Sequence, residues 1–133
     1  MNFDVVGKDS EGMMYMRFRK PFSAVEKIQL LERWILVQSF AYYELDENIS
    51  SDFTYDANAR QLAALKKQYP DDFKRSRYYD YFHDYCSEDD GTVNTSGFDL
   101  LERVRRKDPK LHRYLHMDAI NALEQKQKRG VGE

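Results

Sequence analysis

Two adjacent tyrosines and a spaced pair of aspartates are the residues here whose types and positions could do chemistry. Tyr42 and Tyr43 close one helical pattern, and Asp52, Tyr55 and Asp56 stand at i, i+3 and i+4 of the next. Side chains at those spacings share a helix face, so antiparallel packing of the two helices would bring phenol rings and carboxylates together. Aromatic faces attract positive charge, and carboxylates accept hydrogen bonds from sugar hydroxyls or stabilise a charged ring. The constellation suits a flat cation that carries a ribose. An architectural reading competes with it: the tyrosines fill a core, and Asp52 and Asp56 complement the positive end of a helix dipole. Spacing alone favours that second reading.

Other chemistry is thinner. His112 and His116 lie four apart on a predicted helix, and His83 and Cys86 form a second pair, so a four-ligand zinc site can be drawn. The helix lacks the glutamate of a zinc-protease motif and the chain has a single cysteine, so no metal is expected. Nothing near Cys86 supplies a base and an orienting group, which argues against a nucleophilic thiol. Arg103, Arg105, Arg106, Lys107, Lys110 and Arg113 form the densest basic cluster, and helical geometry spreads them round the axis as a solvated face.

The elements that must position these residues are legible from pattern. Phe3 and Val5, then Met14, Met16 and Phe18, alternate on either side of a turn-rich Gly7–Gly12, which predicts a small β-hairpin over 1–20 packed on the helices. Ser23 and Glu26 have capping-box spacing and open a helix whose apolar stripe runs from Val25 through Ile28, Leu31 and Ile35 to Tyr43. Ser51 caps a second helix, with Ala59, Leu62, Leu65 and Tyr69 on its inner face and Pro70 as its stop. A short helical segment over Arg77–Tyr85 carries five aromatics, expected to wedge between helices. Ser96 and the pair Asp108-Pro109 start two further helices, at about 98–107 and 109–128. The expected fold is mainly α with a small N-terminal β-hairpin, an α+β chain of one domain. Its divisions fall at 1–20, 23–73 and 74–129.

Composition bounds the function. The chain has 133 residues, 33% charged and 14% aromatic, with a mean hydropathy of -0.82 and a net charge of -2. Residues 1–96 carry 12 Lys+Arg against 17 Asp+Glu, and residues 97–133 carry 9 against 6. A basic tail thus follows an acidic body, and nucleic acid is a less favoured partner than a small molecule or a protein. No apolar run approaches a membrane span, the first residues do not read as a secretory signal, and cysteine is scarce, so the cytosol is the expected compartment.

The stretch Ala41-Tyr42-Tyr43-Glu44-Leu45-Asp46, then Ser51-Asp52-Phe53-Thr54-Tyr55-Asp56, then Leu62, Leu65 and Gln68-Tyr69-Pro70 resembles the small helical N-terminal domain of bacterial NAD-dependent DNA ligases. The resemblance covers about residues 25–73. It implies that Tyr42, Tyr43, Asp52, Tyr55 and Asp56 hold the nicotinamide mononucleotide half of NAD. Tyr43 stands where many members of that family have histidine. Adenylation by such ligases uses a lysine in a Lys-x-Asp-Gly motif, whereas the Asp-Gly pair here, Asp90-Gly91, has Glu88 at the lysine position.

The expectation is therefore a non-catalytic protein on a ligase-like scaffold that binds nicotinamide mononucleotide or NAD. The alternative is an interaction protein of phage or mobile-element type, in which the scaffold binds a host enzyme or defence protein. No membrane partner is expected.

Overall fold

The computed structural model describes residues 22–86 and 92–128 in full, and the backbone alone of 3–8, 14–18 and 129–130. The described body is helical. Helix α1 (Ala24–Glu44) is followed by α2 (Asp52–Gln68), α3 (Pro70–Lys74), α4 (Tyr79–Phe82), α5 (Gly97–Lys107) and α6 (Pro109–Gly130). The backbone of Phe3–Lys8 runs antiparallel to Met14–Phe18. The turn expected between them and every side chain of 1–21 lie outside the described residues, so packing of a hairpin on the helices does too. The fold class rests on the helices.

Local chemistry sets the helix starts. Ser23 accepts from the Glu26 amide at 3.3 Å while Glu26 accepts from the Ser23 amide at 3.2 Å, a complete capping box. Ser51 caps α2 through Thr54, Ser96 caps α5 through Asp99, and the Asp108 carboxylate caps the first turn of α6 through the Leu111 amide. Helix α1 ends where Asp46 adopts φ 54°, a left-handed turn that Asp tolerates better than most residues. The Glu47 amide folds back onto the Ala41 carbonyl at 2.9 Å. That turn sends the chain back along α1.

Helix α1 is the central element, packed against α2, α5 and α6. Its buried residues Ile28, Leu31, Ile35, Leu36, Val37, Phe40 and Ala41 cover most of its circumference, as a helix enclosed by others requires. Leu62 and Ala63 from α2, Leu100, Leu101 and Val104 from α5, and Leu115 and Ala119 from α6 complete one contiguous core. Near the start of α2, Tyr55 bonds Ser39 in the second half of α1. Beyond α3, Ser76 donates to Glu32 and the Arg77 amide to Gln29, both in the first half of α1. Helix α2 therefore runs antiparallel to α1.

Three expectations change. Pro70 ends α2 but also opens α3, because a proline at the first helical position gives up an amide that needs no partner there. The segment 77–85 is helical only over Tyr79–Phe82, although Tyr78, Tyr81, Phe82 and Tyr85 are buried as wedges. The basic cluster is not simply a solvated face. Arg103 grips Asp84 and the Tyr81 carbonyl, Arg105 bridges Glu44 and Glu102, and Lys107 pairs with Asp80. These cations fasten the basic segment to the acidic body, which their spacing round the axis could not reveal.

Candidate functional site

A cavity of about 480 Å³ opens between the last turn of α1, the first turn of α2 and the segment leading into α5. That volume lies within the range of small-molecule sites. Tyr42, Tyr43, Asp52 and Tyr55 all line it. The turn at Asp46 is what brings the first two, from the end of α1, onto the same cavity as the others, from the start of α2.

Each side chain is held by a different contact. The Tyr42 and Tyr43 rings meet edge to face at 4.8 Å and are 52% and 46% exposed, so their faces are open to a ligand. Tyr55 is half-buried, with its hydroxyl 3.1 Å from Ser39 Oγ. Since the Ser39 O–H donates to the Ile35 carbonyl at 2.7 Å, Tyr55 is the donor to Ser39. Burial pushes the Tyr55 phenol up, against the opposing effect of the Ser39 bond, so it stays neutral at physiological pH. Asp52 opens α2 as an exposed carboxylate.

Asp56 does not belong to this cavity lining. It is exposed one turn into α2, on nearly the same side as Asp52 but beyond the cavity rim. Its charge still reaches the Tyr55 and Tyr85 phenols and raises both.

The rest of the lining comes from residues that the sequence reading did not place in the site. Gln38 and Tyr85 are buried and line the cavity. Gln38 Oε1 accepts from Ser50, while Gln38 Nε2 and Tyr85 Oη have no hydrogen-bond partner among the described residues. Burial drives the Tyr85 phenol far above its ordinary range. Buried polar atoms left unpaired are costly, which marks this wall as one that accommodates polar groups. Asn94, Ser96 and Gly97 close the remaining side. Among the described residues no lysine or arginine lines the cavity. Its carboxylate, phenols and neutral polar groups favour a cationic ring and sugar hydroxyls.

Gly97 makes this closure possible. A Cβ at that position would lie 2.4 Å from Ser39 Oγ, 2.9 Å from Ser39 Cβ and 3.1 Å from a Tyr43 ring carbon. Only a residue without a side chain lets α5 begin against α1. Gly97→Ala is expected to cost about 1–3 kcal/mol by overpacking, read as a lower Tm in thermal unfolding. An unchanged Tm would show that α5 does not sit against Ser39 as described.

The sketched zinc ligands are dispersed. His112 and His116 pack against the Phe40 ring at 5.0 and 5.2 Å, His112 also meets Glu44 at 2.7 Å, and the His83 ring lies tilted beside Tyr79 at 6.2 Å. Among the described residues no group of three His, Cys, Asp or Glu could hold a metal ion. Nor is any described helix long and apolar enough to cross a membrane.

Residues 22–76 match the family described as DNA ligase-like, N-terminal NAD+-binding domain. Over that stretch, about two fifths of the chain, the protein is similar to a ligase-like NAD+-binding helical domain. No curated protein and no solved structure matches the chain. The matched stretch supplies Tyr42, Tyr43, Asp52 and Tyr55. Tyr85 and the wall from Asn94 to Gly97 lie beyond it.

Proposed function

We propose that this protein binds the nicotinamide mononucleotide half of NAD, or nicotinamide mononucleotide itself, in the cavity between α1, α2 and α5, and that it does so without catalysis. One observation carries the reading: Tyr42, Tyr43, Asp52 and Tyr55, all inside the stretch that matches an NAD+-binding domain, line one cavity. The exposed phenol rings are suited to a pyridinium face, and Asp52 to its charge or to the ribose hydroxyls. The phosphate would face the start of α5, where backbone amides and Ser96 replace the absent cations. The want of a Lys-x-Asp-Gly motif in the chain supports binding without adenylate transfer.

Thermal unfolding tests the reading. Nicotinamide mononucleotide at a hundredfold over its Kd adds about 2.7 kcal/mol of stability, so Tm is expected to rise by several degrees. In the variant Asp52→Asn the same ligand concentration is expected to raise Tm much less. Equal shifts, or none, would remove the nucleotide assignment. The second reading, contact with a protein partner, draws support from Tyr42, Phe53 and Phe98, which are all about half exposed.

A further inference from the structure

The geometry points to a second binding site, for a small phosphate monoester carrying a flat ring, in a separate cavity between α2, α3 and the segment around α4. This cavity has a volume of about 380 Å³. Lys66, Lys67 and Lys74 line it together with Phe73, Tyr79 and His83, and among the described residues no carboxylate lines it. Three lysines around one cavity, with no acid among its described lining residues, are unusual on a chain whose net charge is -2.

Three of the acids near the cavity are engaged by cations that do not line it. Asp72 is taken by Arg75, Asp80 by Lys107 and Asp84 by Arg103, each outside the cavity. Lys67 and Lys74 are exposed and form no ion pair among the described residues. Lys66 is fixed in place: its ammonium donates to the carbonyls of His83 at 3.3 Å and Cys86 at 3.0 Å and lies 5.1 Å from the Phe73 ring centre. Two of its three N–H bonds are thereby spent, and among the described residues the third has no partner.

Cations at the end of α2 also complement its dipole, and that accounts for Lys66 and Lys67. Lys74 likewise ends α3, but helix ends alone do not explain why lysines from two helices line the same cavity. Nor do they account for the aromatic side. Phe73 and Tyr79 meet edge to face at 5.6 Å, and Tyr79 and His83 lie 6.2 Å apart, so rings border the cavity beside the ammonium groups. Lysines round one cavity suit a phosphate dianion, and a bordering aromatic group gives a flat ring attached to it a surface to pack on. Phosphate and ring together define the ligand.

Phenyl phosphate, phenol and inorganic phosphate separate these contributions. The readout is the ring resonances of His83 in the full chain, with His112 and His116 as internal controls because they pack on Phe40 instead. Phenyl phosphate is expected to shift His83 saturably and leave the other two in place. Phenol is expected to bind at least tenfold more weakly, and inorganic phosphate severalfold more weakly. The double variant Lys67→Ala, Lys74→Ala, at two exposed positions, is expected to lose at least tenfold in affinity for the ester. Each single variant is expected to lose part of that and serves if the double variant does not fold. No shift of His83, equal binding of phenol, or undiminished binding by folded variants would overturn the site. Inorganic phosphate binding as tightly as the ester would overturn the ring as part of the ligand.

Discussion

Asp52→Asn is expected to weaken nicotinamide mononucleotide binding by about ten- to a hundredfold, the effect of losing one charge-assisted contact of about 1.5–3 kcal/mol. Asp56→Asn is expected to leave affinity within about twofold. The contrast follows from the geometry: Asp52 lines the cavity with Tyr42, Tyr43 and Tyr55, whereas Asp56 is exposed outside the lining. Both substitutions keep the side-chain volume, and both remove a negative charge near the start of α2, worth about 0.3–1 kcal/mol to the helix. Stability losses should therefore be similar in the two variants, while affinities diverge. Calorimetric titration of wild type and both variants reads the difference. Equal affinities across all three would take Asp52 out of the site, and a larger loss at Asp56 would reverse the assignment.

Raising the pH from about 5 to 8 is expected to destabilise the wild-type protein through Glu32, and Glu32→Gln is expected to abolish that part of the pH dependence. Glu32 is fully buried in α1. Its Oε1 accepts from Ser76, and its Oε2 has no partner among the described residues. Burial pushes its carboxyl up to about 8, against the smaller opposing effect of the Ser76 hydroxyl, from a usual value of 4.5. Below about 4.5 the carboxyl is protonated in both folded and unfolded chains, and its favourable contribution is complete. Between the two values the unfolded chain releases the proton while the folded one retains it. Stability is then lost at up to about 1.4 kcal/mol per pH unit, and the loss levels off above about 8.

Glu26 and Asp84 behave in the opposite sense. Hydrogen bonds from Ser23 and from Arg103, respectively, hold their carboxyls low, so what they contribute is present at neutral pH and lost only on acidification. Comparing wild type with Glu32→Gln cancels such background. The stability difference between them, from urea unfolding, should move by a few kcal/mol in favour of the variant from pH 5 to pH 8. Parallel pH profiles would mean that Glu32 is not buried as an acid in the folded chain.

Much of the fold was written locally. Ser23 with Glu26, Ser51, Ser96 and Asp108-Pro109 specify helix starts through hydrogen bonds that close within four residues, so sequence alone placed them. The apolar repeat through Val25, Ile28, Leu31 and Ile35 likewise marked a long helix with an inward stripe, although that α1 is covered by α2, α5 and α6 came only with packing. Spacing also put Tyr42, Tyr43, Asp52 and Tyr55 within reach of one another, since a short turn after α1 leaves α2 little choice but to return along it. Two things depended on tertiary packing. The first is where along a helix the cavity ends: Asp52 and Asp56 lie about one turn apart on nearly the same side of α2, and only the packing of α2 against α1, with Leu62 and Ala63 entering the core, leaves Asp52 at the cavity rim and Asp56 beyond it. The second is every contact across a large separation in the chain. Gly97 against Ser39, Tyr85 at the cavity wall, Arg103 on Asp84 and Glu32 beneath Ser76 arise because α5 and the segment around α4 fold back over α1. Periodicity reports which side of a helix is apolar, but it does not name the partner that will cover it.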